Sequence, residues 1–169
     1  MPDLGSRHLV LVGLMGTGKT TLGRELATRL HRPFLDSDEM VEARHGRTVR
    51  EIWHTDGEAG YRGFETEALV DALAGPPAVI AAAGGVVLSE QNRRALRNSG
   101  ARVIWLQLDP ELLVARAVTG THRPLLDQDP LGALEAMAAQ RHDLYAEVAT
   151  ETLEVKGRTV DELADTVLR

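Results

Sequence analysis

Cysteine is absent from the 169 residues, so the sequence excludes disulfide bonds and thiolate metal sites. Aromatic residues make up only 4% of the chain and form no stripe on which nucleic-acid bases could stack. No apolar run approaches the length of a membrane span, and residues 1–7 lack the pattern of a signal peptide. The net charge of −6 argues against general binding of nucleic acid. We therefore expect a cytoplasmic protein without nucleic-acid or membrane partners.

Lysine is also scarce, and its placement is informative. Lys19 and Lys156 are the only lysines among 19 basic residues, so the other 17 are arginines. Lys19 lies in residues 13–20, GLMGTGKT, which fit the phosphate-binding pattern G-x-x-x-x-G-K-[ST]. In such a loop the backbone N–H groups turn toward a phosphate, the lysine reaches the β- and γ-phosphates, and the Thr20 hydroxyl ligates Mg²⁺. The motif therefore predicts a nucleoside triphosphate site.

The flanks of this loop match what its chemistry needs. Residues 8–12 are apolar and β-branched, which predicts a buried strand. Residues 21–30 carry leucines four positions apart, which predicts a helix whose N-terminus faces the phosphates. The alternative is a glycine-rich turn that binds nothing, and the complete motif between a strand and a helix disfavours it.

Two aspartates follow the second predicted strand, Phe34-Leu35. Asp36 and Asp38 lie at the carboxyl end of this strand, where ligands bind in open α/β sheets. Alternation along an extended chain would place both carboxylates on one side, suited to a hard cation and a hydroxylated substrate. The alternative is that one of them only caps a helix over residues 39–45.

The rest of the chain alternates predicted strands and helices. This pattern predicts a three-layer αβα sandwich, with a central parallel sheet of about five strands and helices on both faces.

Arg62 and Glu65 share a helical face, and they form either a surface ion pair or part of a functional site. The turn at 83–85 serves either close packing or an anionic group. The loop at 119–128 is long for a connector and could close over a site. The six histidines show no metal-ligand spacing, and we expect them on the surface or in loops.

Taken together, these segments resemble the shikimate kinases, small P-loop kinases of the nucleoside-monophosphate-kinase fold. The resemblance covers nearly the whole chain. Its motifs are the P-loop at 13–20, Asp36-x-Asp38, GExxYRxxE at 57–65, AGG at 83–85, RPLL at 123–126 and RxxLY at 141–145. It implies a single domain over 1–169, with an acceptor-binding segment at about 36–65 and a lid at about 119–128. It also implies transfer of a phosphoryl group from ATP to a hydroxyl of shikimate, with Mg²⁺, by a monomer.

The resemblance further implies roles for individual residues. Lys19, Asp38 and Arg123 would be catalytic, and Thr20 and Asp36 would lie at the metal. Arg62 and Arg141 would clamp the acceptor carboxylate, with Glu65 holding Arg62. Asp38 would bind acceptor hydroxyls, and Gly84 and Gly85 would line the same pocket. Residues implied to bind the nucleotide are Gly16, Thr17, Gly18, Lys19, Thr20, Thr21, Arg116 and Arg123.

Two positions depart from the family pattern, and both lie on the acceptor side. Ala83 replaces a glycine, so its methyl group could narrow the pocket or shift the backbone if that glycine had positive φ. Tyr61 replaces a phenylalanine and adds a hydroxyl in or near the pocket. These changes leave two alternatives to shikimate phosphorylation, a related kinase for another small hydroxylated carboxylic acid and a non-catalytic ATP-binding module.

The chemistry at Asp38 can also be anticipated. We expect Arg62 and Arg141 to lower the pKa of its carboxyl, which would make it a poor base. A loose phosphoryl-transfer transition state needs little early deprotonation of the attacking hydroxyl. We therefore expect Asp38 to orient this hydroxyl rather than to remove its proton.

Overall fold

A computed structural model describes residues 5–117 and 129–169 of the chain. Its five strands form one sheet in the order β2-β3-β1-β4-β5, and every pairing is parallel. The strands are β1 (Leu9–Val12), β2 (Phe34–Asp36), β3 (Val79–Ala81), β4 (Arg102–Gln107) and β5 (Glu151–Glu154). The predicted fold class is confirmed.

Helices cover both faces of this sheet. They are α1 (Lys19–Leu30), α2 (Ser37–His45), α3 (Val49–Ala74), α4 (Glu90–Asn98), α5 (Pro110–Ala117), α6 (Pro130–Val148) and α7 (Val160–Leu168). One core lies between the sheet and α3, α4, α5 and α6, and a second lies between the sheet and α1 and α7. All four residues of β1 are completely buried, as expected for a central strand covered on both faces.

A third, smaller core joins α2 to α3 beside the sheet. Its members are Val41, Val49, Ile52, Tyr61 and Ala68. A capping box at Thr48 starts α3, with reciprocal hydrogen bonds between Thr48 and Glu51. Gly57 interrupts this helix with φ 71 and ψ −179, so a new helical segment starts at Glu58. Two helical segments are therefore joined across this kink.

His8 lies just before β1 and is buried, as expected for the start of the predicted buried segment. Its Nε2 lies 3.0 Å from the Leu73 carbonyl oxygen and its Nδ1 lies 3.2 Å from the Ala78 backbone nitrogen. Helix α2 begins at Ser37, two residues before the predicted start at residue 39, because Asp36 is its N-cap. None of the helices within 5–117 and 129–169 is both long and apolar enough to cross a membrane.

Candidate active site

The P-loop joins the carboxyl end of β1 to α1. Glycine is needed at Gly13, where φ is 143 and an added Cβ would lie 2.6 Å from the Leu106 carbonyl oxygen. Gly16 and Gly18 also have positive φ, of 86 and 95, and Gly18 is the N-cap residue of α1. The glycines therefore shape a tight turn that ends at a helix N-terminus, where backbone N–H groups and the helix dipole favour a phosphate.

Residues 17–21 place their polar atoms along this turn. Thr17 is buried, and its hydroxyl donates to the Leu14 carbonyl oxygen at 2.9 Å. The Lys19 Nζ donates to the carbonyl oxygens of Gly13 and Leu14 at 2.8 and 3.0 Å, so the ammonium spans the loop. Thr20 and Thr21 are exposed in the first turn of α1. Lys19 and the three threonines thus lie along the turn that the motif predicts to bind the phosphates.

Asp36 connects the P-loop to α2. Its Oδ1 accepts hydrogen bonds from the backbone N–H groups of Asp38 and Glu39, at 2.9 and 3.2 Å. Its Oδ2 accepts a hydrogen bond from the Thr20 hydroxyl at 2.9 Å. The capping interpretation is therefore confirmed for Asp36. The second oxygen also pairs with the hydroxyl that the motif assigns to Mg²⁺.

Asp38 extends from the first turn of α2 toward α3. Its Oδ1 accepts a hydrogen bond from the Tyr61 hydroxyl at 2.5 Å. Burial raises the pKa of the Asp38 carboxyl, and the Tyr61 hydrogen bond and the charge of Lys19 lower it by less. The expectation that Arg62 and Arg141 would lower this pKa is wrong, because desolvation outweighs the favourable contacts.

Arg62 and Glu65 form an ion pair on the inner side of α3. The Arg62 Nη1 lies 3.1 Å from Glu65 Oε2, and the side chains are only 18% and 1% exposed. The surface-pair alternative is thus wrong, and Glu65 does hold Arg62. The Arg62 guanidinium also lies over the Trp53 ring, 5.6 Å from its centroid. Its Nε is buried without a hydrogen-bond partner in the described part of the chain.

Burial raises the pKa of the Glu65 carboxyl from its ordinary 4.5 to about 7, against the opposing effect of Arg62. The folded chain therefore holds this proton through a pH window in which the unfolded chain has released it. The contribution of Glu65 to the free energy of unfolding is accordingly lost as pH rises from about 4.5 to about 7.

Arg141 is the most unusual charged residue at the site. It lies on α6 and is only 2% exposed. Its Nε and Nη1 are buried without hydrogen-bond partners, and it forms no ion pair, within 5–117 and 129–169. A buried cation with unpaired donors is costly unless an anion joins it. One helical turn later, Tyr145 donates its hydroxyl to the Gly84 carbonyl oxygen at 2.5 Å.

The two arginines converge on the glycine turn after β3. An added Cβ at Gly84 would lie 3.5 Å from Arg141 Nη1 and 3.3 Å from the Met15 backbone nitrogen. An added Cβ at Gly85 would come closer than 3.0 Å to three atoms of the Arg62 guanidinium. Gly84 and Gly85 have no positive φ, so close approach rather than conformation requires glycine here. The guanidinium groups of Arg62 and Arg141 thus both reach this turn beside the P-loop.

Some predicted residues lie elsewhere. Arg116 is exposed in the last turn of α5. Arg123 and the predicted lid at 119–128 lie outside the described residues. Their assigned roles therefore remain predictions.

Three contacts at the site were not anticipated. Ser37 accepts the Ala83 backbone N–H at 2.8 Å and so fixes the start of α2 to the glycine turn. Trp53 lies beneath Arg62, and Tyr145 anchors Gly84. The spacing of Arg141 and Tyr145, one helical turn apart, is a sequence signal for a shared face. Nothing in the sequence marks Ser37 or Trp53.

The P-loop thus lies beside two arginines, of which Arg141 is 2% exposed and the Arg62 side chain is 18% exposed. The family model for shikimate kinase matches residues 15–169. The chain belongs to the shikimate kinase family. It is 54% identical to the shikimate kinase of Symbiobacterium thermophilum over 145 residues, which cover 84% of this chain and 83% of that protein. It is 40% identical to that of Thermobifida fusca over 167 residues, covering 98% and 96% of the two chains.

The fold agrees with this family. The structure of the shikimate kinase from Acinetobacter baumannii in complex with shikimate superposes with a TM-score of 0.94 at 36% identity. The match covers 97% of this chain and 92% of that chain. The predicted membership in the shikimate kinase family and the predicted small-molecule kinase class are confirmed.

The two departures from the family pattern can now be located. Ala83 is buried and has no positive φ, so its methyl group causes no backbone strain. The anticipated backbone shift therefore has no basis at this position. Tyr61 does add a hydroxyl, as anticipated, and it binds Asp38.

Proposed function

We propose that this chain, a shikimate kinase family member, transfers the γ-phosphoryl group of ATP to a hydroxyl of shikimate, giving ADP and shikimate 3-phosphate. The observation that carries the choice of acceptor is Arg141, a buried cation with two unpaired nitrogens beside Arg62. Two guanidinium groups suit one carboxylate held by paired hydrogen bonds. The P-loop, on the other side of the glycine turn at 83–85, would bind the phosphates of ATP.

In this proposal each wall of the cleft holds one reactant. Backbone N–H groups of residues 16–21 and the Lys19 ammonium bind the ATP phosphates. Lys19 would exchange its loop carbonyl partners for phosphate oxygens as ATP enters. Arg62 and Arg141 hold the acceptor carboxylate, and Gly84 and Gly85 leave room for both. Fixing the two reactants in this way is the main contribution a protein makes to phosphoryl transfer.

We propose Mg²⁺ as the metal, held by Thr20 and Asp36. Their hydroxyl and carboxylate oxygens are hard donors that lie 2.9 Å apart at the start of α1. No cluster of three or more acidic or histidine side chains suitable for a metal occurs within 5–117 and 129–169. A site with few protein ligands fits Mg²⁺, which keeps several waters and binds substrate phosphates. When bound, the ion would neutralise charge on the transferring phosphoryl group.

Asp38 would accept the hydrogen bond of the attacking hydroxyl. Asp38 was expected to be a weak base because arginines would lower its pKa, but burial raises this pKa instead. Because the transition state is loose, orientation of the hydroxyl remains its expected main contribution. Arg116 would lie near the adenine, and Arg123 would reach the transferring phosphate from the lid at 119–128. The roles of Arg116 and Arg123 rest on the sequence. So do three further parts of the proposal: a single domain over 1–169 with its acceptor-binding segment and lid, a cytoplasmic location and a monomeric state.

ADP release from ATP, measured at fixed Mg²⁺ with different acceptors, tests the proposed function. We expect release with shikimate and little with quinate, with D-gluconate or with no acceptor. Release only with another hydroxylated carboxylate would replace shikimate as the substrate. ATP binding without any acceptor-dependent release would contradict the kinase proposal.

A further inference from the structure

The Tyr61 hydroxyl has no role in the reaction as proposed above. Tyr61 follows the Gly57 kink by four residues and is only 4% exposed. It belongs to the small core between α2 and α3, and its ring centroid lies 5.6 Å from that of Trp53. Packing on several sides holds the ring, so its hydroxyl has a defined position at the edge of the cleft.

The Tyr61 hydroxyl makes one strong contact, with the carboxylate of Asp38. It donates to Asp38 Oδ1 at 2.5 Å, a short distance typical of a hydroxyl bound to a carboxylate. Burial and the neighbouring carboxylates of Asp38 and Glu65 raise the pKa of Tyr61 well above its usual range, so the hydroxyl keeps its proton. It is therefore a donor, and it occupies one of the two oxygens of Asp38.

The residues close to Asp38 and Tyr61 in sequence are engaged by other partners. The neighbouring Asp36 is engaged by the backbone and by Thr20. Arg62, which follows Tyr61 in sequence, pairs with Glu65 and Glu58. Tyr61 donates a direct hydrogen bond to the Asp38 carboxylate, and the charge of Lys19 also favours the ionised carboxylate. Without this hydrogen bond the Asp38 carboxylate could rotate to other side-chain rotamers.

We propose that Tyr61 is a positioning residue for phosphoryl transfer: its hydroxyl holds Asp38 Oδ1 and thereby presents Oδ2 to the attacking acceptor hydroxyl. This inference rests on the proposed function. Tyr61 does not contact the reacting atoms and acts through Asp38. Because the acceptor carboxylate is held separately by Arg62 and Arg141, loss of the Tyr61 hydroxyl should affect the reaction step more than substrate binding.

The test is Tyr61→Phe, compared with the wild type and with Thr150→Val as the matched control. Thr150 also carries one hydroxyl in well-formed hydrogen bonds, to the Val103 N–H and carbonyl at 3.0 and 2.9 Å, but at the opposite edge of the sheet. We expect Tyr61→Phe to lower kcat by about tenfold, the effect of one hydrogen bond to a charged group, with KM for shikimate within about twofold. Thr150→Val should lower Tm without changing kcat.

A double-mutant comparison separates positioning from a structural role. In an Asp38→Asn background, adding Tyr61→Phe should change kcat by less than about twofold, because the group it positions has already been altered. An unchanged kcat in Tyr61→Phe, whatever the change in KM or Tm, would overturn the proposal, and so would a rise in kcat/KM. A wild-type enzyme without shikimate-dependent ADP release would instead overturn the proposed function, and this inference with it.

Discussion

Replacement of Gly85 by alanine is a direct test of the acceptor site. The backbone at Gly85 has φ −88 and ψ 6, which alanine can adopt, so the substitution should not strain the chain. Its new methyl group, however, would come closer than 3.0 Å to the Arg62 guanidinium. To restore normal contact, the guanidinium must move by about 1 Å.

Such a displacement has a calculable effect on acceptor binding. If Arg62 loses one hydrogen bond to the acceptor carboxylate, the loss is about 1.5–3 kcal/mol, since one partner is charged. We therefore expect KM for shikimate to rise about 10- to 150-fold, at about 1.4 kcal/mol for each factor of ten. KM for ATP should stay within about twofold, because Gly85 lies across the turn from the P-loop.

The measurement is steady-state kinetics in both substrates, with Gly63→Ala as the control. Gly63 follows Arg62 on α3, and an added Cβ there would meet nothing within 4 Å. Gly63→Ala should leave both KM values unchanged and stabilise the helix by about 0.5–1 kcal/mol. An unchanged KM for shikimate in Gly85→Ala, or an equal rise in KM for ATP, would refute the placement of the acceptor at Arg62.

Four further predictions address neighbouring residues. Arg141→Met should raise Tm, because it removes a buried charge that has no ion-pair partner among the described residues. It should also raise KM for shikimate about 100-fold, because one of the two guanidinium groups that bind the carboxylate is lost. A fall in Tm would contradict the expected stabilisation. Glu65→Gln should match wild-type Tm near pH 5 and exceed it near pH 8, since the Glu65 pKa is about 7; the same difference at both pH values would count against it. Asp36→Asn should keep Tm within a few degrees, because the amide oxygen still caps α2, and should raise the Mg²⁺ concentration for half-maximal rate; an unchanged Mg²⁺ dependence would exclude Asp36 from the metal site. Asp38→Asn should retain a measurable rate above that of Asp38→Ala if Asp38 mainly orients the acceptor, and equal rates would refute orientation.

The fold and the P-loop at 13–20 follow from local patterns in the sequence. Buried strands, helix caps such as Thr48 and Thr159, and the P-loop glycines depend on residues close together in the chain. Their local preferences agree with the final fold. The sheet class could therefore be predicted, although the strand order could not be read from any single segment.

The proposed acceptor site, around Asp38, Arg62, Gly84, Gly85 and Arg141, depends on contacts between segments that are distant in sequence. Tyr61 and Asp38 are 23 residues apart, and Gly84 and Tyr145 are 61 residues apart. The pKa of Asp38 was predicted with the wrong sign because the number of charged neighbours can be inferred from sequence, whereas the extent of desolvation requires the packed structure.

The most direct test of the proposed reaction is identification of its product. Purified protein would be incubated with ATP, Mg²⁺ and shikimate, and ³¹P NMR would follow the nucleotide and the new phosphate ester together. We predict that one equivalent of shikimate 3-phosphate appears for each ADP released, and that neither forms appreciably when shikimate is omitted. ADP accompanied by inorganic phosphate, or no phosphate ester on shikimate, would contradict the assignment of this cleft to shikimate phosphorylation.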